Sequence, residues 1–509
     1  MEKLKNMVVI WGGVSVVVGL LCSGLPTLSA ADREARAARE LREAIVKVYT
    51  VVSEPNYYSP WKMGSTEQIS GSGCLIPGKR ILTNAHVVAN HTFIQVRRYG
   101  QSHRYKARVI GVAHDADVAL LTVDDPQFFE PMSPLHFGGL PSIQQEIVVY
   151  GFPVGGDTLS ITKGVISRIE HQRYSHSGQS LLAGQIDAAI NSGNSGGPVI
   201  LNGQVVGIVM QAYSPHQAEN MGHMVPTPVL RHVLRDLDDG HYAGFPSLGL
   251  TTQPLESPAM KRKYGLGSTQ TGVVVQHVGF APSVLPPLIQ AGDVLMAVDG
   301  YPIADDGTIE FRSGERTSYT YAVEQLQIGD TIDTDLLRGG TVHRVTLALT
   351  QTQQDYELVR KEQYDQHPLY FIYGGIVFSP LTTNLLKCWG KKWTKDAPRK
   401  LLTMLQQRPT ADRREVVVAL QVLPADVNIG YHQVRNRIVA DVNGEAVTDF
   451  QTFVQRVTTA AGPFIVFRNP EALEIVIDRE QAEAGHANIM QQYRIPMDRS
   501  PTLGCPPSS

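Results

Sequence analysis

Residues 190–199 read INSGNSGGPV, and this string constrains the chain more than any other: Ser195 sits among glycines on a turn tight enough for backbone N–H groups to converge. That is how a serine nucleophile and its oxyanion hole share one loop. A Ser-Gly-Gly turn taken alone also serves simply to reverse a chain. Two upstream segments decide between these readings. In ILTNAHVV (81–88) a lone histidine, His86, ends an apolar strand-like run. In DADVALLTV (115–123) an acidic residue stands immediately before a buried strand, where it can reach inward and orient an imidazole. Taken singly, His86 reads as a core histidine and Asp117 as a strand-end cap. In the order His86, Asp117, Ser195 they fit a chain in which each half of a double β-barrel supplies part of a catalytic triad.

On that reading Ser195 is the nucleophile and His86 the base that takes its proton, since a neutral hydroxyl is otherwise unreactive. Asp117 holds the imidazole tautomer; Asp115, two residues away on the same face of an extended strand, is the rival acid. The N–H groups of Gly193 and Ser195 form the oxyanion hole. Ile190, Ile208 and Met210, ahead of and across from the serine, are candidate walls of a specificity pocket. They are aliphatic, with no buried acid to attract a basic side chain, so cleavage after small aliphatic residues follows.

The surrounding texture predicts a mainly β protein. From 48 to 229 short Val/Ile/Leu strands alternate with Gly, Pro and Ser turns, as in two six-stranded barrels, and a helix opening at Pro228 closes a domain spanning 48–240. Residues 31–47 mix alanine, alternating charge and hydrophobes at helical spacing, predicting an amphipathic N-terminal helix. A second module covers 244–351, with FPSLGL, TGVVVQHV and IQAGDVLMAVDG, and carries an insertion at 304–318. A third, 370–485, repeats its order of strand, Asn-Gly turn and helix. The tail 494–509 reads as disordered. The polar stretch HQRYSHSGQSLLAGQ (171–185) reads as a long connection into the strand before Ser195, with Arg173 a candidate lever on the oxyanion loop.

TNAHVV, DADVALLTV, QIDAAINSGNSGGPV and PTPV together resemble the Deg/HtrA family of serine proteases. AENMGHMVPTPV, AGFPSLGL and FIYGGIVFSPL resemble its plant-type branch. The resemblance implies a chymotrypsin-like double β-barrel, then a PDZ domain and a degenerate PDZ-like domain. It also implies trimer-based homo-oligomers and unfolded or misfolded proteins as substrates. Leu248, Gly249 and Leu250 resemble a PDZ carboxylate loop, whose backbone N–H groups would take a peptide C-terminus while the adjoining strand edge accepts the peptide. A non-catalytic chaperone or peptide-binding scaffold is the alternative, against which the complete triad argues.

The 509 residues exceed a single core, and a net charge of −3 gives no polybasic surface for nucleic acid. No GxxxxGK[ST] string occurs, so the expected proteolysis is ATP-independent and needs no cofactor. Cysteines at 22, 74, 388 and 505 have neither metal-ligand nor redox spacing, so no metal is expected. Lys3 and Lys5, an apolar run to Cys22 and a small-residue stretch ending at Ala31 predict a signal peptide over 1–30, and thus an exported, periplasmic or extracytoplasmic protein. An uncleaved membrane anchor is the competing reading.

Overall fold

Strands rich in β-branched residues, each bounded by turn formers, curl into barrels because closure leaves no unpaired sheet edge. The computed structural model describes residues 30–130, 132–212, 222–280 and 288–503. Helix α1, Ala30–Glu43, leads into β1 (Ile45–Pro55), β2 (Met63–Ile76), β3 (Arg80–Thr83), β4 (His91–Arg98), β5 (Tyr105–Ala113) and β6 (Val118–Val123). These close in the order β1-β2-β3-β6-β5-β4. A second closed barrel follows, from β7 (Glu146–Gly151), β8 (Ser160–Arg173), β9 (Ser180–Ile186), β10 (Pro198–Leu201), β11 (Gln204–Ala212) and β12 (Gly222–Pro226), in the order β10-β11-β12-β9-β8-β7. Helix α2, Thr227–Asp236, starts at the expected proline and returns the chain to the first barrel. There Leu237 packs so closely on Gly111 that a Cβ at the glycine would lie 2.8 Å from it.

Two expectations are corrected here. The N-terminal helix does not continue to residue 47: Ile45, Val46 and Val48 are fully buried in the first barrel, where their branched side chains suit a strand. Residues 171–185 are not a long open connection either. Arg173 pairs with Ser180, so β8 and β9 form a hairpin closed by residues 174–179, with Tyr174 buried and its hydroxyl donating to Leu182 O at 2.6 Å. Burial of Leu181, Leu182 and Ala183 holds that hairpin in the barrel.

The second module contains β13 (Leu250–Pro254), α3 (Pro258–Lys263), β14 (Val273–Val278), β15 (Val294–Val298), β16 (Tyr301–Pro302), β17 (Thr308–Arg312), β18 (Glu315–Ser318), α4 (Thr320–Glu324), β19 (Thr331–Arg338) and β20 (Thr341–Ala348). Its main sheet runs β13-β14-β15-β19-β20, which leaves β13, just after the SLGL loop, at an edge. The insertion around 304–318 makes the β17–β18 hairpin and docks on the second barrel. Thr317 Oγ1 lies 2.7 Å from His171 Nδ1, and Arg312 donates to Pro141 O at 2.8 Å. His171 Nε2 also stands 3.0 Å from a Glu324 carboxylate oxygen, both side chains buried.

In the third module two four-stranded sheets, one containing Phe371–Tyr373 and Val417–Val422 and the other Phe464–Arg468 and Glu474–Asp478, pack with helices Phe450–Thr459 and Arg479–Gln492. The expected disordered tail is ordered as far as Leu503. Ile495 and Ser500 are buried, the Ile372 N–H donates to Asp498 O at 2.7 Å, and the Ser500 N–H donates to Tyr370 O at 3.0 Å. The tail thus satisfies an edge of the sheet that the strand pattern alone leaves open. Residues 1–29, all but the last residue of the expected 1–30 leader, and residues 504–509 lie outside the described residues.

Candidate active site

His86 follows β3 on a short helical turn, Ala85–Val87, and Asp117 occupies the turn before β6, so pairing of β3 with β6 brings them together. Asp117 is 1% exposed and has φ +55°, a left-handed conformation unusual for a non-glycine residue. Asn84 holds it there by donating from its side chain to Asp117 O at 2.8 Å. The carboxylate accepts the His86 backbone N–H at 2.9 Å and lies 2.8 Å from Nδ1. Burial alone would lower the His86 pKa, but the charge and hydrogen bond of Asp117 outweigh it, and the net direction is upward. Asp115 turns elsewhere. It accepts the Tyr242 hydroxyl at 2.5 Å and anchors the connection to the second module.

Ser195 reaches the same place from the second barrel. Gly193 (φ +96°) and Gly196 (φ +81°) turn the chain on either side of it, and neither position has room for a side chain: a Cβ would lie 2.5 Å from Phe152 O or 2.2 Å from Ser72 O. His86, Gly193 and Ser195 line one cavity of about 600 Å3, whose far wall is built by Val51, Ile69 and Phe93 of the first barrel. Ile208 and Met210 are buried in the second barrel and Ile190 is half-buried over Gly222; none of the three lines this cavity.

A second polar layer lies beside the imidazole. The His176 ring is centred 6.1 Å from that of His86, and its Nε2 is 3.0 Å from His114 Nδ1. The other His114 nitrogen, Nε2, is 2.8 Å from Asp365. Tyr364 stacks on His176 at 4.0 Å and donates its hydroxyl to His176 O at 2.7 Å. Burial pushes His176 down to about 4, keeping it neutral at physiological pH. Burial would raise the Asp365 pKa, but its bond and charge interaction with His114 leave it lowered. None of these four residues carries a local motif. His176 falls within the polar stretch that the sequence makes conspicuous, but Tyr364 and Asp365 come from the linker before the third module and have no pattern that would reveal them.

The SLGL loop leads directly into the edge strand β13, with Gly249 at φ +63° and Leu250 opening the strand. The Tyr356 ring lies directly over it: a Cβ at Gly249 would be 2.3 Å from Tyr356 Cζ. Gly249, Leu250, Arg173 and Tyr356 share a cleft of about 670 Å3 between the three modules.

Two closed six-stranded barrels meeting at a carboxylate, an imidazole and a glycine-flanked serine define a chymotrypsin-like serine hydrolase. The model of a trypsin-like peptidase domain matches residues 71–208, and that of a PDZ domain matches 359–502, which is the third module. The chain is 35% identical to putative protease Do-like 3, mitochondrial, of Arabidopsis thaliana, over 89% of this chain and 78% of that protein. It is also 35% identical to protease Do-like 2, chloroplastic, of the same plant, over 90% of this chain and 75% of that one. Among solved structures, the HtrA-type protease AlgW with tripeptide shares the fold at a TM-score of 0.50 and 23% identity, covering 62% of this chain and 96% of that one. The chain belongs to the Deg/HtrA family of serine proteases, in company with plant Do-like members. Among the described residues, no helix is long and apolar enough to cross a membrane.

Proposed function

We propose that this protease is an ATP-independent endopeptidase of protein quality control, hydrolysing unfolded or misfolded chains with Ser195 as nucleophile, His86 as general base and Asp117 as its orienting acid. The observation that carries the reading is the 2.8 Å approach of Asp117 to His86 Nδ1 in a cleft shared with Ser195 and Gly193. With Nδ1 bonded to a carboxylate, Nε2 is the nitrogen free to accept the serine proton. The N–H groups of Gly193 and Ser195 receive the developing oxyanion, which requires no metal or other cofactor. Cleavage after a small aliphatic residue is part of the reading, with Ile190, Ile208 and Met210 set behind the cavity that holds Ser195 and not on its surface. Leu248, Gly249 and Leu250 take peptide C-termini once Tyr356 gives way. A trimer-based homo-oligomer acting outside the cytosol, without nucleic acid, completes the reading. The place outside the cytosol is supported by the pattern of the leader and by relatives named for mitochondria and chloroplasts, and the trimer-based assembly by the family resemblance alone.

Casein digestion by the wild type and by Ser195→Ala, with native mass measured on the same samples, tests this. Loss of cleavage in a folded variant that still binds casein is the expected result. More than trace cleavage by Ser195→Ala overturns the assignment, and a monomeric active particle overturns the oligomer.

A further inference from the structure

We infer that Ser72, in β2 of the first barrel, is a positioning residue that sets the oxyanion loop of the second barrel in its active orientation. This rests on the reading of Ser195 as nucleophile and Gly193 as oxyanion donor.

Ser72 has no exposed surface, and all its polar groups are engaged. Its N–H donates to Ser195 O at 2.8 Å, and its C=O accepts from Thr83 Oγ1 at 2.7 Å. The hydroxyl donates to Gly193 O at 2.7 Å and accepts the Phe152 N–H at 2.8 Å. One buried side chain therefore ties the first barrel to the segment after β7 and to the loop that carries the nucleophile.

Peptide planarity turns these bonds into an orientation. In a trans peptide the C=O and the next N–H point in opposite directions. The Val154 N–H holds Ser192 O at 2.7 Å, so the Gly193 N–H is aimed away from that segment. The next peptide is fixed from the other side, by the Ser72 hydroxyl on Gly193 O. Gly193 is the residue between these two planes, and its φ of +96° lies in a region where glycine has little intrinsic resistance to rotation. Its orientation is therefore imposed by the two carbonyl clamps. Val154 supplies one through its backbone N–H, which no substitution short of proline removes; Ser72 supplies the other through a hydroxyl, which replacement by alanine removes. Without that hydroxyl, Gly193 O and the Phe152 N–H are both left buried and unpaired, and rotation about Gly193 is the readiest relief. Such a rotation swings the Gly193–Asn194 peptide and the chain leading into Ser195, so the two oxyanion donors no longer converge, while the pairing of His86 with Asp117 is untouched.

The test is Ser72→Ala in the full-length enzyme, with kcat and KM measured on a short peptide substrate and Ki on a peptide aldehyde, whose hemiacetal oxygen occupies the oxyanion hole. Loss of one such donor lowers kcat by about 10²- to 10³-fold. The expected result is a fall of that size with KM unchanged within about threefold, and aldehyde Ki weakened in parallel with kcat/KM. Ser53→Ala is the control, since Ser53 is another buried serine of the first barrel and its hydroxyl donates to Gly64 O at 3.1 Å. It should lower the melting temperature without lowering kcat. Should Ser72→Ala not fold, Ser72→Cys, similar in size with a weaker donor, should fold and give a smaller fall of the same kind. A folded Ser72 variant with kcat within threefold of wild type, or an aldehyde Ki that does not weaken as kcat falls, overturns the proposal. Because Ser195→Ala is assayed separately, failure of the clamp and failure of the triad give different results.

Discussion

Replacing Asp117 with asparagine isolates the tautomer argument. The site tolerates the change sterically: Asp117 has φ +55°, a conformation asparagine also adopts, and its backbone carbonyl stays bonded to Asn84. The amide oxygen can still accept the His86 backbone N–H, now at 2.9 Å. The amide NH2 is then presented to Nδ1, which must become an acceptor, and the imidazole proton moves to Nε2, the nitrogen that should receive the serine proton. Such a swap lowers kcat by about 10⁴-fold, or about 5.4 kcal/mol at 1.36 kcal/mol per factor of ten. The pH profile gives a second readout. His86 works as a base only when neutral, and Asp117 raises its pKa, so wild-type activity should fall with decreasing pH through a midpoint above the ordinary imidazole value of 6.5. In Asp117→Asn that midpoint should move to lower pH. Peptide hydrolysis from pH 5 to 9, with melting curves to confirm folding, measures both. A folded Asp117→Asn enzyme within tenfold of wild type, or a larger loss in Asp115→Asn, refutes the reasoning.

Three further outcomes are expected. Tyr356→Ala uncovers Gly249, so a peptide with a free C-terminal carboxylate should bind at least about tenfold more tightly than to wild type, with no gain for the same peptide amidated; fluorescence anisotropy reads both. Burial raises the Asp115 pKa, only partly offset by Tyr242, so its ionisation destabilises the fold as pH rises above the ordinary 3.8 and through the raised value. Asp115→Asn should remove that decline, seen as a smaller loss of melting temperature over the same pH interval. Tyr364→Ala takes the stacked ring from His176 and admits water, so the His176 midpoint, about 4 in wild type, should rise toward 6.5 in an NMR titration of labelled histidine.

The double barrel and the trio His86, Asp117 and Ser195 were legible because each depends on a local pattern: an apolar run ending in a polar residue, or a serine between glycines. The choice of Asp117 over Asp115 was only half legible. Both stand at the start of β6, and it is the positive φ of Asp117 and the Tyr242 partner of Asp115 that separate them, features of tertiary structure. The hairpin over residues 171–185 looked like loop because β8 runs beyond the barrel and keeps polar residues on its exposed side. The tail to Leu503 looked disordered because it adds its few apolar groups and backbone bonds to an edge more than a hundred residues away in sequence. For the same reason Tyr364 and Asp365 were invisible: their partners His176 and His114 are 188 and 251 residues distant and share no repeat with them.

That distance also has a meaning in time. The ribosome releases Ser195 long before it releases Tyr364 and Asp365, and at about 5 to 20 residues per second the gap lasts roughly ten to thirty seconds. During that interval the barrels can close, yet the layer of rings beside His86 lacks its outer member and the histidines stand open to water. The nascent enzyme therefore passes through an immature stage that ends only when the C-terminal half arrives. A chain broken off in between would keep its serine and histidine but never acquire the finished surroundings of the imidazole.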